Sequence, residues 1–179
     1  LNLAGSLYKA HKPNTLASAT APLTGSWSST TIGESGYNIT GLEQHNATVY
    51  IGKENGLFKI VGSTVTEIAP ELRSLFNSAS CKNLFGWKSY LYLPMGLQAL
   101  YQYDGAADSL GEVTPAEYSY GIQEYAGKGQ ALTGDEQYLF YFVAGKTDKV
   151  ELLAGSYLGS EWTWHPLYEL SAATASKAY

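Results

Sequence analysis

Cysteine, arginine and methionine each occur once in this 179-residue chain, and charged residues of either sign make up only 15% of it. A lone Cys81 cannot close a disulfide within the chain, which removes the class of small secreted folds stapled by cystines. Arg73 is the sole arginine, and the lysines are scattered from Lys9 to Lys177 without a run. With a net charge of −5, nothing here displaces counterions from phosphates, so no nucleic-acid partner is expected. Long apolar stretches are missing as well. The longest, Tyr138 to Ala144, falls far short of the roughly 20 residues needed to cross a bilayer, and no membrane insertion is expected.

What the chain does have is tyrosine, 15 of them, and 19 glycines, with 45% hydrophobic residues overall. Tyrosine favours strands, because its ring fits a pleated surface and its hydroxyl reaches a partner or water. Glycine supplies turns. An all-β protein is expected. The stretch "YIGKENGLFKI" (50–60) reads as two strands about a tight Asn-Gly turn. Before it, "ITGLEQ" (39–44) reads as a strand, and after it "TVTEI" (64–68) alternates like a half-buried one. The same order of four short strands returns twice. "LFGW" (84–87), "YLYLP" (90–94), Leu97 to Tyr103 and "GEVTP" (111–115) make the second pass. "GQALT" (129–133), Tyr138 to Ala144, "VELLA" (150–154) and Trp162 to Leu170 make the third.

Corresponding second strands begin near Tyr50, Tyr92 and Leu139, a period of roughly 40–50 residues, which fits four-stranded β-propeller blades. "YLYLP" and "YLFYFVA" are apolar on both faces, as a strand between two packed sheets requires. A β-sandwich built from meanders is the competing fold. Pro94 and Pro166 are expected at strand ends or bulges, and Glu71 to Phe76 in a short helical turn after Pro70. The expected division is 1–37, an incomplete blade and linker; 38–76, 77–120 and 121–170, three blades; and 171–179, the first strand of a further blade. The absence of an initiator methionine at Leu1 suggests a piece of a longer polypeptide. Either the termini meet in one blade of a small propeller, or further blades lie outside this partial one.

The pattern "ITGLEQHNATVYIGKENGLFKIVGSTVTEI" resembles the repeats of sensor-regulator-type propellers, in which a hairpin of the form "lyvGT-nGL-ri" marks each blade. Gly52, Asn55, Gly56 and Leu57 match it, and Lys53 replaces the usual small polar residue. The second and third units depart from it, with Pro94 and Gly145 near the glycine position and no Asn-Gly turn. The tyrosine-rich style, with "WSS…GES…ITGL" early and "WTWHPLY" late, is similar to uncharacterised propeller-like proteins among the structural genes of tailed phages. That resemblance implies a virion or extracellular subunit that works with protein partners in an assembly.

Catalytic patterns are thin. A sialidase-like site requires an arginine triad to grip a carboxylate, and "SYLGSEW" (156–162) lacks the aspartate of an Asp-box turn. Glu54 and Asp135-Glu136 could pair across a cleft as glycosidase carboxylates do, but solvated turn residues are the plainer reading. His11, His45 and His165 show no metal-ligand spacing. Asp104-Gly105 with Asp108 resembles half of a calcium loop and lacks the closing glutamate. Cys81 has no neighbouring base. Neither a cofactor nor a metal is expected. Two sequons, at Asn38 and Asn46, would matter only in a eukaryotic secreted protein.

Aromatics carry the binding expectation. Trp27, Trp87, Trp162 and Trp164 are able to stack on sugar rings or to fill the wedge between blades. Trp162 and Trp164 share a face by the period of two. Tyr118, Tyr120 and Tyr125 crowd a segment between units and are expected to meet a partner. The candidate contact residues are therefore Tyr118, Tyr120, Tyr125, Trp162 and Trp164. The expected function is a non-enzymatic structural or recognition module for assembly or host-surface binding. A carbohydrate-binding or glycoside-processing propeller, with a surface glycan as partner, and an extracellular sensor domain are the alternatives.

Overall fold

Within each sheet, strands pair with their neighbours in sequence, and every pairing among the described residues is antiparallel. The computed structural model describes residues 2–3, 6–10, 27–95, 99–115, 129–144, 149–158 and 161–171. β1 (Asn2–Leu3), β2 (Ser6–Ala10) and β3 (Trp27–Thr31) form a three-stranded sheet. The first four-stranded meander follows: β4 (Ile39–His45), β5 (Thr48–Lys53), β6 (Gly56–Val61) and β7 (Thr64–Ile68). The second comprises β8 (Phe85–Trp87), β9 (Tyr90–Met95), β10 (Ala99–Asp104) and β11 (Ser109–Glu112). The third comprises β12 (Gly129–Gly134), β13 (Leu139–Ala144), β14 (Lys149–Leu158) and β15 (Glu161–Ser171). Pro70–Leu75 forms a single 3₁₀ helix, with proline in its first turn, where a missing N–H costs nothing. Among the described residues no helix is long and apolar enough to cross a membrane.

The three four-stranded sheets pack face to face in series. Tyr50, Leu57 and Ile68 of the first meet Leu91, Leu93 and Tyr103 of the second, with Phe76, Cys81 and Leu84 of the connection filling in. Tyr92 and Leu100 point the other way, onto Leu132, Tyr141, Leu153 and Trp164 of the third. Neighbours Leu91 and Tyr92 thus serve opposite interfaces, the period-two consequence of an apolar run. Both are about 1% exposed, and each such burial contributes roughly 1.5–3 kcal/mol. Between sheets, the closest approaches are made by the first strands, β4 to β8 and β12 to β8, with β12 also near β9.

Glycines set the spacing of these interfaces. Gly41 and Gly52 are cross-strand partners in β4 and β5. A Cβ on either would overlap Cys81, which is fully buried there at a left-handed φ of 58°. Its N–H donates to Pro94 O at 2.7 Å. A ring-on-glycine step joins consecutive sheets: a Cβ on Gly86 would strike the His45 ring, and one on Gly134 would strike the Trp87 ring.

The turns differ in one instructive way from the sequence expectation. Lys53 pairs with Gly56, so Glu54 and Asn55 occupy the corner and Gly56 opens β6. Positive φ at both corners occurs instead at Asn46 (47°) and Ala47 (61°), between β4 and β5. The Glu54 corner is held from outside. Its carboxylate accepts from Asn38 N–H (3.0 Å) and the Asn38 amide (3.3 Å), and Glu54 N–H donates to Asn38 O at 3.1 Å. Lys53 completes the attachment. Fully buried, it donates to Ile32 O (2.6 Å) and Glu34 O (2.5 Å), which straps residues 32–38 onto the first sheet. Burial lowers the Lys53 pKa, and the charges of Glu34 and Glu54 oppose that shift.

Both strand prolines lie where ladder bonds are not required. Leu152 pairs with Tyr168 and Leu153 with Pro166, which leaves Leu167 as a bulge. Pro94 lies on β9 beyond its last residue paired with β8, Tyr92. Bulges also open β4 between Ile39 and Gly41 and β12 between Gly129 and Ala131.

Gly52→Ala is expected to lower stability by about 1–3 kcal/mol through overpacking against Cys81. Adding Cys81→Gly should return part of that loss, because it removes the struck atom and relaxes the positive φ. Urea midpoints of the parent, both single variants and the double variant measure the coupling, and strictly additive losses would refute the seating described.

Candidate functional site

At the end of the sheets that carries the β4–β5, β8–β9 and β10–β11 turns, a cleft of about 500 Å³ opens between the first and second meanders. One wall is His45, Asn46, Thr48 and Tyr50 from the first sheet; the other includes Ser89, Tyr90 and Asp104-Gly105 from the second. Alternation aims Tyr50 toward the second sheet, where its ring meets Tyr103 edge-on, with centroids 5.8 Å apart and planes at 70°. Tyr50 is only 5% exposed. Its hydroxyl makes no hydrogen bond among the described residues and lies beside Gly105.

Behind the cleft, three side chains join the two sheets. The fully buried Tyr103 donates its hydroxyl proton to Asp108 and accepts from Lys59 at 2.9 Å. Lys59 Nζ also reaches Asp108 Oδ1 at 2.7 Å. Lys59 and Tyr103 both hold the Asp108 pKa below the ordinary aspartate value. Asp108 and then Tyr103 raise that of Lys59. Burial, followed by the bond to Asp108, raises that of Tyr103. The arrangement is a charge pair locked around a protonated phenol. Asp104 is separate from it: its Oδ1 accepts from Ala106 N–H (2.8 Å) and Ala107 N–H (3.2 Å), as turn aspartates do.

His45 closes one side, half-buried over Gly86, with the Asn46 amide 3.0 Å from its Nε2. The equivalent position in the second sheet is Trp87, whose Nε1–H donates to Asp135 O at 2.6 Å beneath the Lys88 ammonium, 4.1 Å from its ring centre.

The expected contact residues fall in two groups. Tyr118, Tyr120 and Tyr125 lie outside the described residues, as does the side chain of Trp27. Trp162 and Trp164 are stacked at 5.2 Å and 15° between the second and third sheets. Trp164 is 2% exposed and donates Nε1–H to Val113 O at 3.2 Å. Trp162 is half-buried, donates to Gln102 Oε1 at 3.2 Å and touches Tyr92, Trp87 and Tyr157. Their rings fill the wedge between sheets, and only Trp162 keeps surface for anything else.

The acidic residues weighed as a pair are turn caps: Glu54 on Asn38, and Asp135 accepting the Gln137 and Tyr138 N–H groups at 2.7 Å each. Arg73 grips Glu67 through two nitrogens, with Glu34 at 3.6 Å. Cys81 is fully buried, and that burial pushes its thiol pKa far up, the setting of a packing thiol rather than of a nucleophile. Among the described residues no His/Cys/Asp/Glu group is arranged to hold a metal.

No family model matches the sequence, and no curated protein matches it. Distant likeness is found among solved structures. One is a chain of an S. cerevisiae assembly of variant Dbp5 bound to Nup159, variant Gle1, IP6 and ADP, at 8% identity and a TM-score of 0.37, covering 82% of this chain and 50% of that one. Another is the N-terminal domain of Nup159, at 9% identity and a TM-score of 0.31, covering 75% and 49% respectively. The chain spans about half the length of each.

Asp108→Asn is expected to cost about 0.5–1 kcal/mol near neutral pH, a small figure because the carboxylate is 67% exposed and screened. The contribution of Asp108, whose pKa is depressed, is present above the ordinary aspartate range and is lost as pH falls through the lowered value. The share of Lys59, whose pKa is raised, is full below the ordinary lysine range and disappears as pH rises through the raised value. Urea titrations across pH should therefore show a parent–variant gap that is flat in the neutral range and closes at both extremes. A gap that persists in strong acid would contradict the network.

Proposed function

We propose that this chain is an arc of a β-propeller acting as a non-enzymatic recognition and assembly module, whose blades hold sets of turns in fixed positions. The observation that carries this reading is the contrast between the middle sheet and its neighbours. Both faces of the middle sheet are buried by meanders of the same construction. Each flanking sheet keeps apolar side chains on its outer face: on the first, Leu42 is 54% exposed, while Val49, Ile60 and Val65 are half-buried around Ile51 and Phe58, which Ile32 of the strap covers; on the third, Tyr168, 64% exposed, lies beside half-buried Phe140, Phe142 and Leu152. Apolar side chains grouped on an outer face mark a surface for contact, and further blades of the same kind would cover what the strap leaves open by repeating the ring-on-glycine step. Convergence of the first strands fits a radial arrangement.

Rigidly mounted turns lose little entropy on contact, which suits them to recognition rather than to chemistry. The resemblance in sequence style to structural proteins of tailed phages supplies the setting in this reading: a virion or extracellular surface, with protein partners.

Electron cryo-microscopy of the complete gene product tests the proposal. The expected result is a closed ring in which additional four-stranded sheets lie over the Leu42 face and the Tyr168 face. A two-layer sandwich, or an open arc with solvent on both faces, would overturn it.

A further inference from the structure

We infer that residues 32–38 are a hinged cover on the outer face of the first sheet, closed near neutral pH and released by acid. Closed, the cover is held at three points. Ile32, with no exposed surface, packs onto Ile51 and Phe58. The Lys53 ammonium donates to the Ile32 and Glu34 carbonyls. Asn38 is bound to the Glu54 corner through its N–H, its side-chain amide and its carbonyl. Between Glu34 and Asn38 little ties the chain down: Ser35, Gly36 and Tyr37 are exposed and make no hydrogen bond to the sheet among the described residues. Arg73, already gripped by Glu67, adds only an exposed contact of 3.6 Å to Glu34, of a kind worth little. Gly33, at φ 54°, lies so close to Phe58 that an added Cβ would stand 2.6 Å from the ring.

The closed state carries a cost that an ordinary loop does not. Buried charges are as a rule paired with an opposite charge. Lys53 forms no ion pair among the described residues, and its third N–H finds no acceptor among them. Lifting the cover returns this ammonium to water. It also bares Ile51 and Phe58, and because Leu42 pairs with Ile51 and Ile51 with Phe58, one apolar row opens across β4, β5 and β6. The tie that opposes lifting at the far end is Glu54, and it titrates. Bonds from the Asn38 N–H and then the Asn38 amide hold its carboxyl below the ordinary glutamate value, with smaller help from Lys53 and Lys82. A depressed carboxyl supports the closed state above its ordinary pKa, and that support is lost as pH falls through the lowered value. Lys53 acts in the same sense at the other limit. Burial lowers its pKa against the charges of Glu34 and Glu54, so closure strengthens as pH rises from that lowered value to the ordinary lysine range. Arg73, beside Glu34 and Glu67, stays charged throughout. Opening therefore takes up a proton at either limit.

NMR on the complete chain tests this, with a neutral gadolinium chelate in the water to broaden every signal it reaches. On titration from about pH 7 to about pH 3, the Ile32, Ile51 and Phe58 side-chain signals should broaden, with the open fraction rising at most about tenfold per pH unit for one proton. Leu91 and Leu93 of the middle sheet should stay sharp. Glu54→Gln, which keeps an acceptor for Asn38 and cannot titrate, should flatten that response. Gly33→Ala should show the broadened signals already at neutral pH, because its methyl pries the backbone off Phe58. Broadening that reaches Phe58 only together with Leu91 and Leu93, an unchanged response in Glu54→Gln, or a Gly33→Ala cover that stays closed would overturn the inference. Where Gly33→Ala broadens the middle sheet as well, the Glu54→Gln comparison decides. A ring closed over a cover that is fixed at every pH would remove this inference alone, and a lifting cover on an open arc would remove the ring alone.

Discussion

The middle sheet has no face it can give to water. Its strands place Leu91, Leu93 and Tyr103 on one side and Tyr92 and Leu100 on the other, so it is stable only between two covers. This requirement orders the rest. The first and third meanders are positioned by what the second needs buried, and the turns at their ends are brought beside its turns as a result. The cleft at Tyr50 is a by-product of that alignment: two sheets meet over an apolar interior and part slightly at the rim, where their polar turns begin.

Sheet separation is then tuned by residues that have no side chain. Gly41 and Gly52 make the hollow that admits Cys81, and Gly86 and Gly134 let the His45 and Trp87 rings lie against backbone. Interiors of this density transmit a single added methyl to both partners. Glycine in these strands therefore marks close approach between sheets, in contrast to Gly62, which sits at a turn with φ 63°.

Much of the architecture was legible in the sequence. Alternation in "TVTEI", two-sided apolarity in "YLYLP" and the recurrence of four short strands appear as three antiparallel four-stranded meanders, and Pro166 falls at a bulge. The Asn-Gly pair misled in detail, because the corner is braced by Asn38, sixteen residues away, and local turn propensity does not register such a partner. The cleft was not legible at all. Tyr50 and Tyr103 meet, and Lys59 reaches Asp108, through the stagger of two sheets, which no spacing within either repeat encodes. The Asp104-Gly105…Asp108 stretch did attract notice, but as a half-formed ion loop. Its aspartates instead divide between capping the turn and pairing with Lys59. Trp162 and Trp164 were correctly placed on one face, yet only the packed neighbours reveal how little of Trp164 is left to touch.

Lys53 has a consequence of its own. An ammonium sealed beneath the strap, with the Ile32 and Glu34 carbonyls accepting its hydrogen bonds, is hidden from proteases and from amine-directed reagents while the strap stays down. Trypsin scission after Lys53, or acylation of its side chain, therefore clocks the lifting of residues 32–38. The fold thus carries an internal timer for the loosening of its first sheet, read out at one lysine among ten.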